Sequence, residues 1–418
     1  MIELKTPPSS SIRQGPRSRR VLALAGDTQV GLWMVRDLGM HGLTVFSIVR
    51  SPLGQAAHSR YSKGVWLLEK GPKDPGFADE MLALARRLDV GSIILISEGY
   101  HLGMIGCRDR FEPDIKVFSP SAECFGKATD KDYMNALATE LGIPVARGCR
   151  LDHYMVDPSS RQLDYPLVLR ARRQAAAGAA RPFPWKAAYA VDPQDLKTRY
   201  DEVADQADNV IVQEYHPGVE DHVQVLMHRG EAFMAGEYMG EHHMPLAGGV
   251  TVQRVTCRHP RLIDDAVRLL KALHWQGVAG VQYHRDPATG KYIFLEINPR
   301  FIGGLPTVVM AGFSAPYLLW QSHFEPEKMV RPRYRLGYRT RILGGDANWL
   351  LGMLRRDPLP PDQQHASRLG AVASFLWNTG PWTHDDVFLL GDPKPLWADL
   401  KGMVRRLGSR SVDIVGNN

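Results

Sequence analysis

Residues 280–301 read GVQYHRDPATGKYIFLEINPRF, and this stretch decides the fold. The segment DPATG at 286–290 consists of turn-forming residues between two strand-like runs, which predicts an antiparallel hairpin. With the loop centred near Thr289, Gln282 is predicted to lie directly across from Glu296. The predicted hairpin therefore places the side chain of Gln282 next to that of Glu296.

The polar side chains of this hairpin predict a metal site. Glu296 and Asn298 point to the same face, because successive side chains of a strand alternate. Together with Gln282 they bring one carboxylate and two amide oxygens to one place. Hard oxygen ligands suit Mg²⁺ (or Mn²⁺), which completes its coordination with nucleotide phosphates. Arg300 has the same parity and supplies a permanent cation suited to a phosphoryl oxygen.

Upstream of the hairpin, strands and helices alternate. Helices are predicted between strands, which indicates an α/β domain with a parallel sheet, of Rossmann-like form. Gly26 and Gly31 lack the GxGxxG spacing of a dinucleotide site, which argues against an NAD-dependent oxidoreductase. The predicted strands are 21–25, 43–49, 92–97 and 116–118, and the predicted helices are 29–41, 77–88 and 99–110.

From about residue 121 the pattern changes to an α+β arrangement. The chain Leu141-Gly142-Ile143-Pro144 indicates the end of a helix, with a glycine followed by a proline. The predicted helices of this part are 129–141 and 261–274, and its predicted strands are 167–170, 210–213, 223–227 and 232–237.

On these motifs the chain resembles the ATP-grasp superfamily over roughly residues 21–320. The details look closest to the synthetase halves of the carbamoyl phosphate synthetase large subunit, which use a Gln, Glu, Asn metal set and an Asn-Pro-Arg ending. The resemblance implies a Rossmann-like domain at 21–120 and an ATP-grasp domain of two α+β subdomains at 121–325. A C-terminal segment at 326–418 would then serve packing or substrate specificity.

The resemblance also implies the residues of an ATP site. Lys131 matches the basic residue that opens the first ATP-grasp helix, and Arg170 matches the triphosphate-binding strand residue. Arg170 and Arg300 would be the catalytic cations. The covering loop is alanine-rich at 172–181, where the family usually has glycine, so Lys186 and neighbouring arginines (Arg172, Arg173, Arg181) would supply charge in place of backbone amides.

The string VIVQEYHPGVE at 210–220 resembles the adenine hinge of the family. A strand edge offers an N–H and a C=O to a flat base, and a carboxylate accepts both ribose hydroxyls. By resemblance, the side chain of Gln213 would face the adenine amino group, and the backbone of Tyr215 would hydrogen-bond the ring. An ordinary polar strand end is the alternative. The hinge residues implied to contact the nucleotide are Gln213, Glu214, Tyr215, His216 and Glu220.

Charge, apolar runs and cysteine spacing argue against several other classes of protein. The net charge is +6, but residues 1–20 carry five basic residues against one acidic residue, which predicts a flexible basic tail rather than a nucleic-acid-binding surface. The longest apolar runs are far shorter than the roughly 20 residues of a transmembrane helix. The four cysteines form no CxxC pair, and no HExxH motif occurs, so neither a disulfide scaffold nor a zinc site is expected. This use of cysteine predicts a protein of the reducing cytoplasm.

These patterns predict an ATP-dependent ligase. A small-molecule carboxylate would be phosphorylated by ATP, and an amine would displace phosphate to form an amide, with ADP released. Within ligases, a bicarbonate-phosphorylating carboxylase or carbamoyl-phosphate-type enzyme is the alternative. A non-catalytic ATP-binding regulatory module is an alternative of another class, favoured only by the alanine-rich loop. A homodimer is an expectation from the family.

Overall fold

The N-terminal third of the chain is built on a six-stranded sheet. The computed structural model describes residues 1–8, 15–158, 162–172, 185 and 187–408. The strand order is β1-β4-β3-β2-β5-β6, and all pairs are parallel except β1 with β4. The strands are β1 (Ile2–Lys5), β2 (Arg20–Leu24), β3 (Thr44–Val49), β4 (Ser62–Leu67), β5 (Ser92–Leu95) and β6 (Lys116–Phe118).

Helices cover this sheet as the apolar patterns predicted. Strand β2 is buried along its whole length, which explains its uninterrupted apolar run. Strand β4 was not predicted, because Lys63 and Gly64 interrupt its apolar pattern. The helices are α1 (Gln29–Met40), α2 (Phe77–Arg87) and α3 (Glu98–Ile105).

The prediction of a flexible tail over residues 1–20 was wrong for its first residues. Strand β1 pairs antiparallel with β4, and the terminal ammonium of Met1 lies 3.0 Å from Oε2 of Glu69. Residues 9–14 lie outside the described residues. Composition missed this strand because an exposed edge strand is held by backbone hydrogen bonds, which any sequence can make.

A four-stranded antiparallel sheet follows the parallel sheet along the chain. Its order is β7-β10-β8-β9, and short helices pack on one face over a separate apolar core. The strands are β7 (Gly148–Arg150), β8 (Leu167–Ala171), β9 (Ala187–Ala190) and β10 (Val210–Glu214), and the helices are α6 (Leu151–Val156) and α7 (Pro193–Glu202).

The third sheet has seven strands in the order β15-β14-β11-β12-β13-β16-β17, antiparallel except for the last pair. Three helices share an apolar cluster with one face of it. The strands are β11 (Val219–His228), β12 (Glu231–Met244), β13 (Val250–Cys257), β14 (Gly277–Arg285), β15 (Tyr292–Asn298), β16 (Arg339–Arg341) and β17 (Thr383–Asp385), and the helices are α4 (Ala122–Thr129), α5 (Lys131–Glu140) and α8 (Pro260–Ala272).

The C-terminal segment is integrated into the rest of the fold. Its strands β16 and β17 extend the large sheet, and the buried carboxylate of Asp392 accepts hydrogen bonds from Arg36 (3.0 Å) and Ser59 (2.7 Å) of the N-terminal domain. Among the described residues, no helix is long and apolar enough to cross a membrane. The remaining helices are α9 (Leu305–Met310), α10 (Ala315–Phe324), α11 (Leu343–Arg355), α12 (Arg368–Trp377) and α13 (Lys394–Gly408).

The predicted fold class is confirmed: a parallel α/β sheet is followed by two α+β sheets and a C-terminal extension. One continuous apolar cluster joins the N-terminal sheet to residues of the 301–320 region. This shared core holds the N-terminal domain against the end of strand β15, where the predicted metal ligands lie.

Candidate active site

The β14–β15 hairpin has the predicted register. Gln282 lies opposite Glu296, and Gly280 lies opposite Asn298. The turn is held by Asp286, whose carbonyl oxygen accepts from Gly290 N (2.8 Å). An irregularity follows Gln282 in the pairing, but it comes on the turn side and leaves the opposition of Gln282 and Glu296 intact.

The carboxylate of Glu296 is the meeting point of the two predicted triphosphate-binding cations. Lys131 Nζ lies 3.1 Å and Arg170 Nη2 lies 3.2 Å from the same oxygen, Oε2. Lys131 opens helix α5, Arg170 comes from β8 of the four-stranded sheet, and Glu296 comes from β15 of the large sheet. The site therefore lies between the two sheets, and the two cations exceed the single carboxylate by one positive charge.

The donors around Glu296 fit a hard divalent cation. Gln282 is buried and Asn298 is half-buried, and both have the strand parity of Glu296. A carboxylate with two amide oxygens is the chemistry that Mg²⁺ or Mn²⁺ prefers, with further positions left for phosphate oxygens. A cleft beside them is lined by Glu98, Thr129, Lys131, Met134, Glu296 and Asn298, among others.

Arg300 faces the N-terminal domain. Its Nε lies 3.5 Å from Oε1 of Glu98, and its Nη1 donates to Phe301 O at 3.0 Å. Sequence reasoning missed Glu98, although it lies three residues beyond the carboxyl end of parallel strand β5, in the region where ligands of open α/β sheets commonly bind. The N-terminal domain thus contributes a carboxylate to the cleft.

A buried histidine lies close to Arg300. Burial, with a smaller contribution from the positive charge of Arg300, lowers the pKa of His101 to about 3. The imidazole is therefore neutral at physiological pH, and its Nδ1 shares a 2.9 Å hydrogen bond with Oγ of Ser119. It contributes no positive charge to the cleft.

Part of the predicted adenine hinge is already used within the protein. The N–H of Tyr215 donates to Pro166 O at 2.9 Å, so this N–H is engaged within the protein, and the contact of the Tyr215 backbone with the ring stays a prediction. The carboxylate of Glu214 accepts from Asp164 N (2.9 Å) and pairs with Arg147 (2.8 Å), so it faces the protein. The reason is sheet pairing: Tyr215 continues the alignment of β10 with β8, which the hinge string does not reveal.

The other end of the hinge is surrounded by histidines. Oε2 of Glu220 lies 3.3 Å from Nε2 of His222 and 3.6 Å from Nε2 of His243. Nδ1 of His284 donates a 2.6 Å hydrogen bond to the carbonyl oxygen of His216. The pKa of His284 is lowered by burial. These histidines come from four different positions in the chain, so their convergence on Glu220 and His216 could not be predicted from spacing.

The basic residues of the alanine-rich loop are only partly described. Arg172 Nη1 lies 3.4 Å from Asp130 and 3.4 Å from Asp132, at the start of helix α5 next to Lys131. Arg173, Arg181 and Lys186 lie outside the described residues.

Gln213 is buried near the end of β10. The sequence predicted Gln213 at the end of a strand, and the structure confirms that position.

Comparison with known proteins agrees with this architecture. Residues 206–343 match a family model described as ATP-grasp in the biosynthetic pathway with Ter operon. A putative urea carboxylase of Emericella nidulans is 21% identical over 300 residues, which is 67% of this chain. The match covers 24% of that protein, so the chain spans about a quarter of its length.

Two solved structures share the fold. The biotin carboxylase of Campylobacter jejuni, in complex with a β-γ-ATP ligand, superposes with a TM-score of 0.61 at 17% identity, over 77% of this chain and 74% of that one. An ADP complex of N5-carboxyaminoimidazole ribonucleotide synthetase superposes with a TM-score of 0.58 at 15% identity, over 86% and 97%. The chain is therefore an ATP-grasp protein in fold, and the resemblance predicted from its motifs is confirmed.

Proposed function

We propose that this protein is an ATP-dependent carboxylate–amine ligase that works through an acyl phosphate and releases ADP and phosphate. The observation that carries the proposal is the convergence of Lys131 and Arg170 on one oxygen of Glu296. Two cations and a carboxylate gathered between two sheets match the needs of a metal-bound triphosphate.

In this proposal Glu296, Gln282 and Asn298 hold Mg²⁺ or Mn²⁺. The ion would supply positive charge where negative charge develops during phosphoryl transfer. Lys131 and Arg170 exchange their contacts with Glu296 for contacts with phosphate oxygens once the nucleotide arrives. Lys186, which follows the alanine-rich loop in the sequence, is proposed as a further phosphate contact.

The hinge is proposed to hold the nucleoside. Gln213 at the end of β10 faces the adenine amino group, and Glu220 accepts the ribose hydroxyls. Since successive N–H groups alternate between the two sides of a strand, the N–H of His216 points away from the side on which Tyr215 pairs with Pro166. We assign the contact with the ring to the N–H of His216 and to the carbonyl group of Glu214, which the same alternation places on one side of the strand, in place of the Tyr215 backbone.

The reaction has two steps. A carboxylate oxygen of the substrate attacks the γ-phosphorus, the bond to the β–γ bridging oxygen breaks, and ADP leaves. The nitrogen of an amine then attacks the acyl carbon, phosphate leaves with the bonding electrons, and the amine loses a proton. Arg170 and Arg300 hold the phosphoryl oxygens through both steps, by positioning and charge stabilisation.

Chromatography of nucleotide products tests the proposal. The wild-type protein is incubated with ATP, Mg²⁺ and pooled carboxylic acids and amines, with and without bicarbonate, beside Glu296→Ala and the control Glu140→Ala, which changes an exposed residue at the end of α5. We expect ADP that depends on the pool and is lost only in Glu296→Ala.

The other products distinguish the alternatives. ADP that requires bicarbonate alone would replace the ligase by a bicarbonate-phosphorylating enzyme. AMP would refute phosphoryl transfer in favour of adenylation. Binding of ATP without any product would leave a non-catalytic module, and equal ADP formation by Glu296→Ala would refute the metal assignment.

A further inference from the structure

A compact set of four different metal-binding side chains lies away from the nucleotide site. One ligand atom from each of Asp221, Glu237, Cys257 and His259 lies within 4.8 Å of the others. Both carboxylates are fully buried, and the thiol and imidazole are half-buried. The sequence predicted no cysteine zinc site because these residues are spread over 39 positions and only Cys257 and His259 are close together.

The large sheet brings the four residues together. Glu237 of β12 lies directly opposite Cys257, the last residue of β13, so their side chains share a face. Asp221 of β11 lies opposite Met239, which makes it the diagonal neighbour of Glu237 on the same face. His259 follows β13 by two residues and precedes helix α8. The donors therefore come from three rigid strands and the start of a helix.

The cluster lies on the opposite face of the sheet from the nucleotide site. Asp221 pairs with Tyr283, which packs in the apolar cluster with helix α8, whereas the next residue, His222, pairs with Gln282. Since neighbouring residues of a strand point to opposite faces, the sheet separates the four donors from the Gln282 side. The two sites share strands but no ligand.

A divalent ion bound through a Cys257 thiolate would balance the charges of the cluster. Asp221 is paired with Arg285, with Nε 2.7 Å from Oδ2, and Glu237 accepts from both the N–H and Nδ1 of His259 at 2.6 Å each. If Cys257 binds the metal as a thiolate, the cluster has three negative charges, on Asp221, Glu237 and Cys257. With the positive charge of Arg285 the total is −2. A divalent ion bound with neutral His259 makes the buried cluster neutral.

We propose that Asp221, Glu237, Cys257 and His259 form a structural zinc site. Zinc takes tetrahedral sets of thiolate, imidazole and carboxylate ligands at about 2.0–2.3 Å, so its ligand atoms lie about 3.5 Å apart. The four atoms, now within 4.8 Å, need to approach by only about 1 Å. The ion would tie three strands, β11, β12 and β13, to the start of helix α8. Strand β11 also carries Glu220, on its other face.

Metal analysis tests the site in the full-length protein. The protein is kept reduced, loaded with Zn²⁺ and dialysed against a weak chelator, and its zinc is measured by mass spectrometry. We expect about one zinc ion per chain in the wild type, in Cys124→Ser, which removes a thiol outside the cluster, and in Glu296→Ala, which disables the nucleotide-site metal. In Cys257→Ser and Glu237→Gln we expect zinc affinity to fall at least about 10-fold.

Cobalt substitution gives a second readout that does not depend on the variants folding. Co²⁺ bound by the wild type should show a thiolate-to-cobalt charge-transfer band in the near ultraviolet and intense tetrahedral bands in the visible. Zn²⁺ should displace both. No stoichiometric zinc in the wild type, the absence of the thiolate band, or unchanged zinc content in a folded Cys257→Ser protein would overturn the proposal, leaving a hydrogen-bonded cluster only.

Discussion

Replacing Glu296 by glutamine should separate metal-dependent from metal-free nucleotide binding. Lys131 and Arg170 contact one carboxylate oxygen at 3.1 and 3.2 Å. At an effective dielectric constant of 20, Coulomb's law gives about 5 kcal/mol for each such contact before desolvation, which offsets most of it. Glutamine keeps the shape but removes the negative charge. Both cations then become available to the triphosphate, and the carboxylate no longer repels it.

We therefore expect opposite changes in two assays of Glu296→Gln. In calorimetry with EDTA present, ATP should bind at least about 10-fold more tightly, which is the lower end of the roughly 1.5–3 kcal/mol of a hydrogen bond to a charged group. With Mg²⁺, ADP formation should fall at least about 100-fold, because the only carboxylate of the predicted metal set is lost.

The exposed substitution Glu140→Gln is the matched control and should change neither quantity. Weaker or unchanged metal-free binding in Glu296→Gln would refute the reasoning that this carboxylate competes with the triphosphate for the two cations. Retained ADP formation would refute its role as a metal ligand.

Three further predictions concern the scaffold of the site. Asp392→Ala should lower the free energy of unfolding in urea by about 3–5 kcal/mol, since it leaves the fully buried Arg36 without its carboxylate partner, and an unchanged value would contradict that pairing. The pKa of His101 is about 3 in the folded protein against an unfolded value near 6.5, so the unfolded state binds more protons between these pH values and stability is lost as the pH falls from about 6.5 towards 3. Relative to pH 7, we expect a loss of about 2 kcal/mol at pH 5 that is absent in His101→Gln; equal pH profiles of the two proteins would argue against a neutral buried imidazole. Gly280→Ala should cost about 1–3 kcal/mol, because its Cβ would lie 2.1 Å from Cγ2 of Ile302, and the same change should cost less in an Ile302→Ala background if that contact is the cause.

Local signals in the sequence were enough for much of the fold. The buried run at 20–24 and the amphipathic helices α2 and α8 follow from apolar periodicity, which depends only on neighbours in the chain. The β14–β15 register follows from one short turn, because a turn aligns the two strands that it joins. Edge strand β1 and strand β4 could not be found in this way, since their pairing is with distant strands and their side-chain patterns are weak.

In the candidate site, too, some features follow from the sequence alone and others only from the tertiary structure. Gln282, Glu296 and Asn298 are set by the parity of two strands joined by a turn, so the sequence by itself determined their common face, and family resemblance named Lys131 and Arg170. Only the tertiary structure decided that both cations meet one oxygen of Glu296, that Glu98 reaches Arg300 from another domain, and that the N–H of Tyr215 is donated to Pro166. It also decided that Asp221, Glu237, Cys257 and His259 lie together. The physical reason is that strand order and domain packing bring together residues far apart in the chain, and no local periodicity encodes those contacts.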